Sequence, residues 1–448
     1  MTAELHPGEI RSILRAHALE LSLQERADGT FAPIDTTSPL APSFDQVERL
    51  PERYANVLEG LLEGRFGPTW WEGDAGDELR GLIRAFKADY FAGDAVEYDL
   101  ATALGYAIYH LPIYFASVQY VLDQLGQRGL LSRELRVLDV GAGVGGPALG
   151  LAAYVGEEAV VDYRAVEPSA ATTVLRAMLR ETGPNFHWSI EERTIESFEP
   201  TGAYDLVLLA NVLSELDEPV NVVRRLLRDL DTDGVLVCVA PADRRTSLHL
   251  REVERAIVDG NDSVDVFAPT LRLWPGRRPT DECWSFDERS PISIPRFQRS
   301  LDEGSGRTSG KRPVATREFV HREVRFSYSI LRRDGRRRST FRPDRGTFAP
   351  LAESAAAVTS RVDIAVVKLS RTLREPGAPP LYRVGDGSQD TPHFAVLTRE
   401  TTLNEALRTA DYGDVVIIEG GLLLWNDDEA AYNVVVDEDA VVDRVPPG

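Results

Sequence analysis

The sequence predicts an α/β chain. It reads as a Rossmann-like parallel sheet with a helical domain before it and a small β-barrel-like domain after it. Three observations carry the prediction. Residues 8–130 hold apolar side chains at helical spacing, short apolar runs alternate with amphipathic stretches from about 133, and brief β-rich runs take over after about 345. The expected domains are 1–132, helical; 133–345, the sheet, with an irregular basic insertion at about 276–318; and 346–448, β-rich and OB-like.

PGEIRSILRAHALEL and DELRGLIRAFKADYF repeat apolar residues every three or four positions, as a one-sided helix does. DLATALGYAIYHLPIYFASVQYVLDQLGQ is more apolar and reads as a core helix, interrupted near Pro112, where the ring removes a backbone donor. The loops GTFAPIDTTSPLAPS and RFGPTWWEGDAGD separate these elements. Next come strand LRVLDV, helix GPALGLAAYV, strand VVDYRAVE, helix PSAATTVLRAMLRET, strand YDLVLLANV, helix PVNVVRRLLRDL and strand GVLVCVAP. Such alternation implies parallel strands covered on both faces. VRFSYSILRR is a late strand of the same sheet. RVDIAVVKLSR, HFAVLT, DVVIIEGGLLLWN, AYNVVVDE and AVVDRV are short runs at turn spacing, as in a small barrel.

Composition narrows the classes. The net charge is −21 over 448 residues, and only Lys87, Lys311 and Lys368 are lysines. Strong acidity with so little lysine resembles proteins of salt-loving archaea. Cys238 and Cys283 are too few for a disulfide framework and fit a reducing cytoplasm. MTAELHPGEI lacks the charged and apolar regions of a signal peptide. Residues 137–156 approach bilayer length, but glycines and Pro147 in the middle suit a turn, so no membrane association is expected.

The stretch LRVLDVGAGVGG (135–146) concentrates glycines where a strand enters a helix. Gly141, Gly143 and Gly146 satisfy G-x-G-x-x-G, a weak signal alone. Asp139 with Gly141, Gly143 and Gly145 gives D-x-G-x-G-x-G, which resembles the turn of class I methyltransferases that bind S-adenosylmethionine. A carboxylate there repels the pyrophosphate of a dinucleotide and favours an ammonium and a sulfonium. Glu167, at the end of the second strand, is placed to accept ribose hydroxyls. Ile195 and Glu196 are candidates beside the adenine, and Asn211 ends the third strand at the edge where substrates enter such folds. No residue is singled out as catalytic.

Further segments resemble the Rsm-twenty-two-type family of small-ribosomal-subunit methyltransferase-like proteins. YDLVLLANVLSELDE matches its "DLV…VLSEL" segment, ECWSFDER its Trp-Cys-His-Phe-x-x-Arg element, VRFSYSILRRDG its "FSYLVLRR" strand and ADYGDVVIIE its late "WGD" element. The likeness spans roughly 100–420. It implies association with the small ribosomal subunit and its rRNA, in assembly or rRNA methylation, with catalysis left open. Many members carry four cysteines for an iron–sulfur cluster; here only Cys283 lies in that region, so no cluster is expected. Ala240, Pro241 and Ala242 replace the family's Glu-Pro-Gly.

Residues 289–345 hold sixteen basic and six acidic residues, so this band is +10 while the rest of the chain is −31. A basic band in an acidic chain points to a polyanion, with Arg332, Arg333, Arg336, Arg337 and Arg338 the expected RNA contacts. Phe297, Phe319, Phe326, Tyr328 and Phe341 are interleaved, as in surfaces that stack on unpaired bases. The competing reading pairs these arginines with the chain's own carboxylates. His187, His249, His321 and His393 are scattered and give no metal spacing with the cysteines. The alternatives are a small-molecule methyltransferase and an inactive RNA-binding assembly factor; no DNA partner is expected.

Overall fold

The computed structural model describes residues 6–93, 97–200, 202–261, 263–304 and 317–446. Along the chain run α1 (Pro7–Ala16), the hairpin β1 (Leu23–Glu25) and β2 (Phe31–Pro33), α2 (Glu52–Phe66), α3 (Gly73–Ala92), α4 (Leu100–Gly126), β3 (Glu134–Val140), α5 (Gly146–Val155), β4 (Val160–Val166), α6 (Ala171–Leu179), β5 (Phe186–Glu191) and β6 (Tyr204–Ala210). Then follow α7 (Pro219–Arg228), β7 (Leu230–Pro241), α8 (Arg244–Asp259), β8 (Asp265–Ala268), β9 (Asp287–Arg289), α9 (Arg296–Glu303) and β10 (Val324–Arg332). The last elements are β11 (Arg361–Lys368), β12 (Leu381–Gly385), β13 (His393–Leu397), α10 (Ala406–Thr409), β14 (Val415–Asn426), β15 (Ala431–Val436) and β16 (Val441–Arg444).

The chain forms two compact units. The first comprises Met1–Asp217, Arg228–Gly234 and Arg289–Val324. Its strands stand in the order β5-β4-β3-β6, all parallel, with Val137 opposite both Tyr163 and Leu206. The order reverses at β3, so a crevice opens between the loops that follow β3 and β6.

Helix α4 is almost entirely buried and is capped by Asp99, whose side chain accepts from the Thr102 amide. Contrary to expectation, it runs unbroken through Pro112. The ring leaves the Ile108 carbonyl without its helical donor, and the buried Gln298 side chain on α9 donates to it at 2.8 Å. Helix α9 and strand β9 both lie in the stretch expected to be irregular, and the hairpin β1–β2 lies in the stretch expected to be helical or loop. Helices α4 and α5 approach closely: a Cβ on Gly146 would sit 2.7 Å from Tyr114 Cβ, and one on Gly150 2.7 Å from the Phe115 carbonyl oxygen.

The second unit comprises Glu218–Leu227, Val235–Glu288 and Arg325–Gly448. Strand β10 pairs antiparallel with β7, Tyr328 opposite Val239, and with β8. The C-terminal strands close into a five-strand barrel, β11-β12-β13-β15-β14 and back to β11, with β13 and β15 parallel and β16 added outside on β14. Val366, Val384, Ala395, Val416 and Val434 fill its core. Buried polar ties join it to residues 272–283 and 338. Arg383 pairs with Asp281, the Trp274 indole donates to Asp386 at 2.7 Å, and Arg338 pairs with Asp414 at 2.7 Å. No helix among the described residues is long and apolar enough to cross a membrane.

Candidate functional site

A cavity of about 630 Å³ opens at the crevice of the first unit, where the loops after β3, β4 and β6 meet the start of α4. The glycine turn forms its floor. Gly141 and Gly143 have φ of +69° and +52°, a region that side chains disfavour. A Cβ on Gly141 would also lie 2.4 Å from the Val212 side chain. The Gly143 amide donates to Glu167 at 2.9 Å, and the Ser169 amide donates to the other oxygen of the same carboxylate at 2.9 Å. These bonds fix the Glu167 side chain in the lining, and each oxygen retains a lone pair for a further donor.

Of the residues expected at a cofactor, Gly141, Gly143, Glu167, Ile195, Glu196 and Asn211 line the cavity. Asn211 holds a left-handed conformation, φ +62°, at the end of β6, the kind of backbone strain that collects at sites of function. Two of the expected residues, Asp139 and Gly145, lie outside the lining. Asp139 is fully buried beneath the turn, not in the lining, and takes a hydrogen bond from the Tyr163 hydroxyl. Gly145 starts α5 against Leu175 and is outside the lining too. Burial pushes the Asp139 carboxyl up to about 7, the Tyr163 bond opposes the rise, and the Glu167 charge adds to it. The fourth glycine of the run, Gly146, serves the α4–α5 approach and not the cavity.

The lining also contains residues not singled out in the sequence: Glu97 and Tyr98 ahead of α4, Tyr106 within it, and Glu215 and Asp217 beyond β6. Glu215 sits in the helical turn Leu213–Glu215, inside the Ser-Glu-Leu segment, where its spacing from Asn211 was the available signal. Burial among surrounding atoms, then the charge of Glu167, raises its carboxyl to about 7. Burial and the same Glu215 charge drive the Tyr98 hydroxyl up as well. Among the described residues the lining holds five carboxylates and no Lys, Arg or His. That charge balance is hostile to phosphate and hospitable to cations.

The expected RNA contacts fare differently. Arg332 is fully buried and pairs with Asp334, and Arg338 is 4% exposed and pairs with Asp414. Neither reaches a partner's phosphate in this fold, because the unit's own carboxylates hold them inside. Arg337 pairs with Asp265, Arg333 is half-buried, and Arg336 is exposed. Elsewhere in the band Arg296 pairs with Glu59 and Glu52, and Arg325 with Glu288. Phe297, Phe319, Phe326 and Tyr328 are buried, so they are core and not stacking platforms. Arg307, Lys311 and Arg312 lie outside the described residues. Cys238 and Cys283 are both buried, and no cluster of three or more potential metal ligands occurs among the described residues.

Residues 114–291 match a family model described as "Methyltransferase domain", and 352–445 match one described as the C-terminal domain of DUF8157, a domain of unknown function. The chain thus carries a methyltransferase domain of class I architecture, followed by a barrel. No curated protein matches it. Similar solved structures include the plantazolicin methyltransferase BpumL in complex with a pentazolic desmethylPZN analog and SAH (11% identity, 63% of this chain, 99% of that one, TM-score 0.33). They also include the [4+2]-cyclase SpnF (15%, 56% and 93%, TM-score 0.32). The CcbJ methyltransferase of Streptomyces caelestis is 22% identical over 24% of this chain and 43% of its own length, with a TM-score of 0.21.

Proposed function

We propose that the chain is a cytoplasmic methyltransferase that binds S-adenosylmethionine in the cavity of the first unit. The observation that carries this reading is the lining of five carboxylates with no Lys, Arg or His among the described residues. A dinucleotide would bring its pyrophosphate against them, whereas S-adenosylmethionine brings an ammonium and a sulfonium. The cavity volume falls within the range typical of small-ligand sites, about 300–1,000 Å³. Glu167 would hold the ribose hydroxyls, Ile195 and Glu196 the adenine edge, and Gly141 and Gly143 would admit the ligand close to the backbone. When bound, the cofactor supplies an electrophilic methyl group, and the chain's own task is to align a nucleophile with it and exclude water. Calorimetry tests this. The full chain should bind S-adenosylmethionine and its demethylated product, and Glu167→Ala should weaken both about tenfold or more, the loss of one charge-assisted contact. No heat with either ligand for the unmutated chain would sink the proposal.

The substrate we assign is rRNA of the small ribosomal subunit, acted on during assembly. The likeness of 204–218 and 324–335 to Rsm-twenty-two-type proteins supports it. Co-sedimentation with the small subunit, and one methyl mark lost on gene deletion, are the expected results; an unchanged modification map together with no co-sedimentation rejects the assignment. The burial of Arg332 and Arg338 favours a second reading, a small-molecule methyltransferase, since much of the basic band is internally paired. Turnover of a metabolite without RNA would establish that reading instead.

A further inference from the structure

We propose that an arginine-lined cleft in the second unit, which shares only Arg337 with the RNA contacts expected from sequence, grips the phosphodiester backbone of RNA. The inference rests on the reading that RNA is the partner.

A cavity of about 230 Å³ is lined by Arg272, Arg277, Arg278 and Arg337, with Trp274 as a wall and Asp265 as the one carboxylate in the lining among the described residues. Nearby acids are shared and do not neutralise it. Asp259 serves both Arg272 and Arg278, the latter at 3.7 Å. Glu353 serves Arg277 at 3.3 Å and Arg345 at 3.5 Å. Asp265 takes Arg337. Arg342 stands close enough to Arg337 that burial and this neighbour's charge lower its own guanidinium. Arg336, next in the chain, is exposed. Among the described residues, five guanidiniums, Arg272, Arg277, Arg278, Arg337 and Arg345, therefore share Asp259, Asp265 and Glu353, in a chain whose acids outnumber its bases 71 to 50. A face that is merely solvated would follow the chain's balance, and this one inverts it.

The cavity is smaller than the range of about 300–1,000 Å³ for whole small ligands, so it suits one anionic group of a larger molecule. Guanidinium forks converging from several directions match the tetrahedral oxygens of a phosphate better than a flat carboxylate. Trp274 is 4% exposed and its indole is committed to Asp386, so it offers no base-stacking face. The cleft thus positions a strand without reading its sequence.

The test is fluorescence anisotropy of a short fluorescein-labelled single-stranded RNA with the full chain, across a salt series, against the Arg277→Glu/Arg278→Glu variant. Both side chains are substantially exposed, at 40% and 61%, and neither lines the cofactor cavity. We expect about tenfold weaker binding and a flatter salt dependence, by about one unit of slope per arginine removed. S-adenosylmethionine binding should be unchanged. Should the charge reversal unfold the chain, Arg277→Gln/Arg278→Gln carries the same expectation in direction. Equal RNA affinity of variant and unmutated chain overturns the cleft while leaving the RNA reading standing. No RNA binding by the unmutated chain overturns both. Binding of inorganic pyrophosphate or labelled polyglutamate in place of RNA also overturns the proposal, in favour of a free anion or an acidic protein.

Discussion

At the scale of single residues, the cavity is controlled by how its carboxylates share negative charge. Glu167 is tied to two backbone amides. Glu215, without such ties, is raised to about 7 by burial and by the charge of Glu167. A bound cation stabilises the ionised form, so binding must release a proton from Glu215 wherever that group is still protonated. The sign follows. S-adenosylmethionine affinity should rise as pH increases toward about 7 and level off above it. The demethylated product has lost the sulfonium charge and should show a shallower rise. Calorimetry at several pH values with both ligands checks this, and Glu215→Gln should bring the two profiles close together. Parallel profiles in the unmutated chain would mean that Glu215 does not sense the sulfonium.

At the scale of elements, α4 shows one helix depending on a distant side chain. Pro112 leaves the Ile108 carbonyl without a donor, and Gln298 provides one from 190 residues further along the chain. Gln298→Leu should cost about 1–3 kcal/mol by denaturant unfolding, as for any buried acceptor left unsatisfied. In a Pro112→Ala background a backbone amide returns, so the same Gln298→Leu should cost measurably less; equal costs would show that the two do not couple. This dependence explains what was legible in the sequence. Local periodicity marked the strands β3, β4, β6 and β7 and the length of α4, because each buries residues on its own repeat. The unbroken passage through Pro112 was hidden, because its remedy is non-local. The glycine run announced a ligand turn, yet only tertiary contacts, Gly145 against Leu175 and Gly146 against Tyr114, separate its packing glycines from those of the cavity. Ile195, Glu196 and Asn211 followed from their places after the strands, whereas Glu97 and Tyr98 precede α4 and carried no signal. The arginine band failed as a guide for Arg332 and Arg338, since counting charges does not reveal which ones a buried Asp will claim.

At the scale of the whole molecule, charge is partitioned by place more than by sequence segment. The first unit gathers carboxylates around a cavity, and the second gathers guanidiniums around a cleft. Within the second unit, the barrel's polar core is completed from outside the barrel. Asp281 is fully desolvated and receives both Arg383 and Arg255, the latter at 2.9 Å, while Asp386 receives the Trp274 indole. A cut at 345, where the sequence changes character, therefore separates Arg383, Asp386 and Asp414 from their partners. Asp281→Asn in the full chain should cost about 3–5 kcal/mol, because two guanidiniums lose their countercharge and Arg383 cannot reach water. Adding Arg383→Met should recover part of that loss, since the charge left unpaired inside is removed with it. Thermal and denaturant unfolding of the single and double variants measure this directly. A double variant no more stable than Asp281→Asn would show that Asp281 acts through Arg255 instead, leaving Arg383 held by the His393 and Glu282 carbonyls.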